Sequence, residues 1–276
     1  MQVKHTNEPV TMLYSTEQKG ERENKIEQLS LVLEDYKKNY SEFIDIAVHD
    51  LQAPLRKLSV LIERLTTKYT DVSENDTEAE EWVTRINGCI TNMRSLIDGL
   101  SELAGVTADS MKCGPCDISE IVNEVLRELD PVIKEKKAVI IESALPIIEG
   151  DAIQLKQLFK NILGNAIRFS KKNIPPEIDL RWCKLTDEEK NISALQQTKQ
   201  YYKIEILDNG IGLRQEYAEK IFQPFVRLNG KSAFAGNGLG LAICKRIVDN
   251  HQGILYAEGI ENTGTRFTLI IPETLN

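Results

Sequence analysis

The stretch that decides the fold runs from Asp208 to Ala242, DNGIGLRQEYAEKIFQPFVRLNGKSAFAGNGLGLA. Two glycine-rich turns, Asp208-Asn-Gly210-Ile-Gly212 and Gly236-Asn-Gly238-Leu-Gly240, bracket a segment containing Phe222-Gln-Pro-Phe225. Glycines at alternate positions let the backbone take positive φ and come close to a ligand. The second set runs straight into an amphipathic helix expected from Leu239 to Asn250, which aims bare N–H groups and a positive helix end at whatever binds there. Phosphate is the group such a turn suits. Taken singly, either turn reads equally well as a tight connection between a strand and a helix.

A third element lies upstream. Asn161-Ile-Leu-Gly-Asn165-Ala-Ile-Arg168-Phe-Ser carries two amides four residues apart on one helix, so both side chains lie on the same face. The three elements, in this order, resemble the ATP-binding domain of the Bergerat (GHKL) superfamily, and among its branches the sensor histidine kinases. The likeness runs from about Asp117 onward.

At 276 residues the chain is long enough for about two domains, and 41% hydrophobic residues is ordinary for a globular protein. A formal charge of −8 offers no basic surface for a nucleic-acid backbone, which argues against DNA or RNA binding. No apolar run approaches the length of a membrane span, and the N-terminus lacks the basic-then-apolar pattern of a signal peptide, so a cytoplasmic location is expected. The five cysteines, Cys89, Cys113, Cys116, Cys183 and Cys244, form no framework spacing and suit a reducing compartment. Cys113-Gly-Pro-Cys116 has the spacing of a redox dithiol but lies between two helical segments with no strand expected before it; a Gly-Pro linker turn is the better account.

Residues 1–20 show no periodicity and read as a loose tail. From Ile26, apolar residues at Ile26, Leu29, Leu33, Tyr36, Tyr40, Phe43 and Ala47 alternate steps of three and four, the pattern of a coiled-coil seam. The stripe continues through Leu51, Leu55, Leu58, Ile62 and Leu65. A polar turn at Thr70–Ala79 leads to a second helix with Trp82, Ile86, Cys89, Met93, Leu96, Leu100 and Leu103 on one side. Two such helices make an antiparallel hairpin with one apolar side, and pairing two hairpins into a four-helix bundle would cover it. A homodimer is therefore expected. The alternative, a hairpin packed on its own ATP-binding domain, leaves the Ile26–Ala47 seam uncovered.

His49 stands in His49-Asp50-Leu51-Gln52-Ala53-Pro54-Leu55, where the apolar pattern shifts. At about 100° per residue it lies roughly 200° from both Ala47 and Leu51, so it faces away from the apolar stripe. Asp50 can accept a hydrogen bond from one ring nitrogen and leave the other's lone pair free to attack phosphorus. Pro54 cannot donate to the Asp50 carbonyl and crowds it, so the helix should bend beside His49. The segment resembles the phosphoacceptor box of histidine kinases, in the HDLQ-type variant of phytochrome-like kinases. Many kinases of this family carry Thr or Asn four residues after the acceptor, where it positions the water that dephosphorylates the receiver. Ala53 stands at that position, which implies weak or absent phosphatase activity.

In the remaining chain Asp117-Ile-Ser-Glu120 reads as a capping box opening a helix to about Lys136. A β-branched run follows at Ala138–Ile141, and Asp151 should cap the helix that carries the two amides, with Ile153, Leu158, Ile162 and Leu163 on its buried side. Paired strands are expected at Ile178–Lys184 and Tyr202–Leu207, joined by a polar insertion at Thr186–Lys199 whose role the sequence does not explain. Strands near Ile254–Glu258 and Arg266–Ile271 finish a mixed sheet. The expected fold class is α+β: a helical hairpin forming a dimeric four-helix bundle, followed by an α/β sandwich ATP-binding domain of Bergerat type. The expected domains are the tail at 1–20, a coiled-coil and phosphotransfer hairpin at 21–108, a linker at 109–116 and the catalytic domain at 117–276.

The resemblance implies roles residue by residue. Asn165 is the magnesium ligand, and an amide oxygen is the kind of hard donor such an ion takes. Asn161 stands where related ATPases carry a catalytic glutamate, and an amide cannot act as a base for water, so hydrolysis is disfavoured. Arg168 supplies positive charge near the phosphates. A carboxylate at Asp208 can accept the exocyclic amine of adenine, which guanine does not offer. Gly210 and Gly212 let the adenine lie against backbone, Thr265 after Gly264 resembles the family's last small motif, and Gly236, Gly238 and Gly240 face the phosphates. The polar stretch between Phe225 and Gly236, basic at Arg227 and Lys231, suits a lid, with Phe222 and Phe225 as its anchors.

These roles imply a kinase that uses ATP and Mg2+ to phosphorylate His49 and passes the phosphoryl group to an aspartate of a response-regulator receiver domain. A sensing domain is expected upstream or in another chain. Two other classes stay open at this level: a Bergerat-type conformational ATPase, which would want a glutamate at position 161, and a non-enzymatic scaffold with vestigial ATP binding.

Overall fold

The computed structural model describes residues 48, 52, 55–63, 66–67, 77–108, 111–193, 195–227, 238–260 and 263–275. The expected tail, the Ile26–Ala47 seam, His49, Asp50, Ala53 and Gly236 lie outside the described residues.

Residues 55–63 are helical, and helix α1 designates this segment; α2 spans Thr77–Gly105. Leu55 and Ile62 on α1, seven apart, are buried, as are Ile90, Ile97 and Ala104 on α2, also seven apart. The Arg94 guanidinium donates to the Ser59 hydroxyl at 3.0 Å, tying the two helices together. Much of the apolar side expected on α2 faces outward instead: Ile86, Met93 and Leu96 are exposed, as are Leu58, Val60 and Leu61 on α1. Among the described residues of the two helices, the heptad-spaced positions are buried while a second apolar stripe is exposed. Leu100 and Leu103, at the other end of α2, pack against the core of the following domain.

That domain is built on a mixed five-stranded sheet in the order β2-β4-β5-β7-β6, from β2 (Val139–Glu142), β4 (Glu177–Lys184), β5 (Tyr201–Asp208), β6 (Ile254–Ile260) and β7 (Gly264–Pro272). Only the β2–β4 pair is parallel. Helices α3 (Ile118–Lys136), α4 (Ala152–Arg168) and α6 (Gly240–Asn250) cover one face, where Leu158, Ile162, Ile178, Ile204 and Ile247 are fully buried. The architecture is α+β.

Local chemistry sets the helix starts. The Asp117 carboxylate accepts the Ser119 and Glu120 N–H groups at 2.8 and 3.3 Å, and Asp151 accepts Ile153 and Gln154 at 2.9 and 3.0 Å, each satisfying donors that a first helical turn leaves without partners. Ile153 is the exception to the expected buried face of α4. It is 78% exposed, because it lies about 180° around the helix from Ile162.

The linker-turn reading of Cys113–Cys116 is corrected. Cys113–Asp117 is strand β1, paired antiparallel with β3 (Ile147–Asp151) in a separate two-stranded sheet where Pro115 is tolerated because its strand has only one partner. Three residues apart on a strand, the two thiols point to opposite faces, Cys113 exposed and Cys116 buried and donating to the Gly150 carbonyl. Their Cα atoms are separated by about 10 Å at extended spacing, beyond the roughly 7 Å limit for a disulfide, which removes the redox alternative.

The insertion is ordered around α5 (Asp187–Ile192), opened by a reciprocal capping box between Thr186 and Glu189. Glu189 also accepts from Lys203 on β5 at 2.8 Å, and Leu195 packs with Leu185, Tyr201, Ile254 and Ile270 in a second small core. Tyr201 and Ile270 belong to the strand positions that alternate with the main-core residues Tyr202, Ile204, Leu269 and Ile271. The insertion therefore covers part of the sheet face opposite the helices.

His251, after α6, is fully buried and joins the two sheets' supports: its Nε2 accepts the Asp151 N–H at 3.0 Å and its Nδ1 lies 2.7 Å from the Ile247 carbonyl. A neutral ring protonated on Nδ1 satisfies both. Burial, the largest cause, holds its pKa below the usual imidazole value. The unfolded chain therefore binds the proton more readily, so this contribution to stability is complete above about pH 6.5 and is lost as pH falls through the lower folded pKa. The urea midpoint should drop between pH 7.5 and pH 5, and the drop should be smaller in His251→Gln; equal slopes in both proteins would assign it elsewhere.

Candidate functional site

The helical period of α4 separates structure from chemistry. Leu155, Leu158, Phe159, Ile162, Leu163, Ala166 and Ile167 are buried against the sheet, while Asn161, Asn165 and Arg168 recur at steps of four and three on another side. The start of the helix is anchored by Asp151, whose carboxylate also accepts the Lys112 N–H at 2.7 Å. Burial pushes the pKa of this group up, but its three backbone N–H donors outweigh burial and leave it below the ordinary carboxylate value.

Asp208 ends β5, half-buried. Its Oδ1 accepts the Gly210 N–H at 2.8 Å and the Thr265 N–H at 3.2 Å, joining the first glycine turn to the start of β7. Burial is the largest influence on its pKa and raises it; the two N–H donors oppose that shift. The turn is too tight for side chains. A Cβ on Gly210 would stand 2.7 Å from the Phe169 carbonyl oxygen, and one on Gly264, at φ +146°, would stand 1.9 Å from the Asp208 carbonyl oxygen. Gly212, at φ +78°, makes the second bend. The Ile211 N–H donates to the Phe169 carbonyl at 3.0 Å, binding this turn to the end of α4.

The second glycine turn is described from Gly238. Gly238 has φ +73°, and a Cβ there would press on the Phe225 backbone at 3.0 Å. The Phe225 N–H donates to the Gly238 carbonyl at 2.9 Å, with Phe225 itself at φ +66°. The Asn161 amide donates to the Gly240 carbonyl at 3.2 Å, so α4 and the first turn of α6 are fixed to each other.

Together these elements enclose a cleft of about 420 Å³ lined by Asn161, Asn165, Arg168, Asp208, Gly212, Gly238, Gly240 and Thr265 among others. Gly210 is not in its wall and acts instead through Asp208. Phe222 packs on the core, and Phe225 is outside the lining, holding the Gly238 turn. Phe169, Ile211 and Phe267 supply apolar walls that the motifs did not include. Phe267 was within reach of the sequence, since it shares a strand face with Thr265. Among the described residues no cluster of three His, Cys, Asp or Glu could hold a metal, and no helix is long and apolar enough to cross a membrane.

Residues 150–275 match the family model described as histidine kinase-, DNA gyrase B-, and HSP90-like ATPase. Phytochrome-like protein Cph1 of Synechocystis is 32% identical over 245 residues, covering 89% of this chain and 31% of that protein. Sensor histidine kinase RcsC of Escherichia coli K12 is 23% identical over 277 residues, 98% of this chain and 27% of RcsC. Full-length ShkA, crystallised with AMPPNP, shares the fold with a TM-score of 0.61 at 22% identity, over 85% of this chain and 46% of ShkA. The glycine turns, the amide-bearing helix and the mixed sheet are those of a histidine kinase-like ATPase domain. With the helices before it, the chain is similar to the catalytic core of sensor histidine kinases, and it spans less than a third of the length of these curated relatives.

The close packing at Gly264 gives a direct check. Gly264→Ala should cost about 3 kcal/mol or more in urea melts, whereas Gly114→Ala, with nothing within 4 Å of the added methyl, should stay under about 1 kcal/mol. Equal effects would contradict the geometry described at Asp208.

Proposed function

We propose that the chain is a homodimeric ATP-dependent protein-histidine kinase that phosphorylates its own His49 and passes the phosphoryl group to an aspartate of a response-regulator receiver domain. The observation that carries this reading is the convergence of Asn161, Asn165 and Arg168 with Asp208, Gly238 and Thr265 on one cleft.

Asp208 recognises adenine by accepting its exocyclic amine, against the apolar walls formed by Ile211 and Phe267. Its two N–H contacts fix the carboxylate before the nucleotide arrives. The phosphates extend toward Asn165, Arg168 and the start of α6, where backbone N–H groups and the helix dipole stabilise negative charge. The Asn165 amide oxygen fits magnesium, which needs few protein ligands when phosphates supply the others, and the ion would neutralise charge on the transferring group. Asn161 holds the Gly240 carbonyl and has no carboxylate with which to activate water, which favours transfer over hydrolysis.

In the transfer itself a ring nitrogen of His49 attacks the γ-phosphorus, the N–P bond forms as the bond to the β,γ-bridging oxygen breaks, and ADP leaves. Asp50 would accept a hydrogen bond from the other ring N–H and could take that proton as positive charge develops on the ring. Dimerisation is supported by the outward stripe of Leu58, Leu61, Ile86, Met93 and Leu96, which a second hairpin would cover.

Two variants separate the roles. His49→Gln should take up no label from γ-labelled ATP while binding the nucleotide as the unaltered protein does; retained label would remove His49 as the acceptor. Asp208→Asn should weaken ATP binding by roughly 10- to 100-fold, the worth of a hydrogen bond to a charged group, and calorimetry giving equal affinities would move adenine recognition elsewhere.

A further inference from the structure

A residue that belongs to none of the three motifs holds the end of α4 from behind. The ammonium of Lys136, the last residue of α3, donates to the Ile167 carbonyl at 2.8 Å, the Arg168 carbonyl at 3.3 Å and the Ser170 hydroxyl at 3.3 Å. A lysine has three donors, and here each has an oxygen. The carbonyls of a last helical turn lack partners within their own helix and carry its partial negative charge. One cation on α3 therefore satisfies two of them and offsets the dipole.

That same turn carries Asn165 and Arg168 on its cleft side. Its backbone is fixed from the front as well, since the Phe169 N–H closes on the Asn165 carbonyl at 2.9 Å and the Phe169 carbonyl accepts from Ile211 at 3.0 Å. Arg168 is exposed and lines the cleft, and Lys136 is not in the cleft wall. With the helix-end carbonyls already satisfied by Lys136, the Arg168 guanidinium is not drawn back onto its own backbone. Without Lys136, Arg168 is the nearest cation in the sequence to those carbonyls, and its reach would turn away from the cleft.

We propose that Lys136 is a positioning residue for the phosphate end of the nucleotide: it sets the direction of Asn165 and Arg168 without touching the ligand. This rests on the ATP-binding reading above. Adenine recognition by Asp208 has its own supports at Gly210 and Thr265, so it does not depend on Lys136.

The test compares MgATP with adenosine, which lacks the phosphates, on the full chain and on Lys136→Met and Lys136→Arg. Lys136→Met should bind MgATP about tenfold more weakly and adenosine within about twofold of the unaltered protein, and Lys136→Arg should recover most of the MgATP affinity. Unchanged MgATP binding in Lys136→Met overturns the proposal. So does an equal loss for both ligands, which is the mark of a merely structural role, or a failure of arginine to restore binding. An unaltered protein that binds neither ligand overturns the ATP-binding reading and this proposal with it.

Discussion

The carboxylate of Asp208, held by the N–H groups of Gly210 and Thr265, is the contact on which the rest of the site depends. It joins the end of β5, the first glycine turn and the start of β7 at a point too crowded for a side chain on either Gly210 or Gly264. Replacing it with a group that cannot accept would leave two donors in a partly desolvated pocket, at about 1–3 kcal/mol each. The glycines are thus a consequence of the carboxylate as much as of the ligand. Through Ile211 and the Phe169 carbonyl the same turn reaches the end of α4, so the Asp208 end and the Asn165 end of the cleft form one connected structure.

The helix α4 does two jobs with one periodicity. Its buried residues attach it to the sheet, and the steps that remain place Asn161, Asn165 and Arg168 toward the cleft. Asn161 adds a bond to α6, so both helices that line the cleft are held at a fixed spacing. Such rigidity would suit the proposed phosphoryl transfer, because a donor that needs no reorganisation stabilises developing charge most effectively.

Much of this was legible in the sequence because it is local. Asp117 and Asp151 announce their helices through cap chemistry that involves only the next three residues, and the glycine turns and the two amides signal themselves by spacing. What was not legible depends on distant partners. Cys113–Asp117 contains Gly and Pro and forms a strand only because β3 pairs with it. The insertion at Thr186–Lys199 gains its place from Lys203 on the next strand and from Ile254 and Ile270, far along the chain. The apolar residues of α2 read as one stripe, yet burial within the chain follows the heptad of Ile90, Ile97 and Ala104 and leaves Met93 and Leu96 outside. Lys136 carried no signal, since a lysine at a helix end is ordinarily a solvated surface residue.

In the proposed reaction, ATP bound in this cleft phosphorylates a histidine of the chain itself. Mapping the modified residue by mass spectrometry at neutral pH after incubation with MgATP, with the acid and base stability of the product measured alongside, tests it most directly. The expected product is a phosphoramidate on His49 that is labile in acid and stable in base. An acid-stable phosphoester on Ser, Thr or Tyr, or free phosphate with no modified protein, would contradict it.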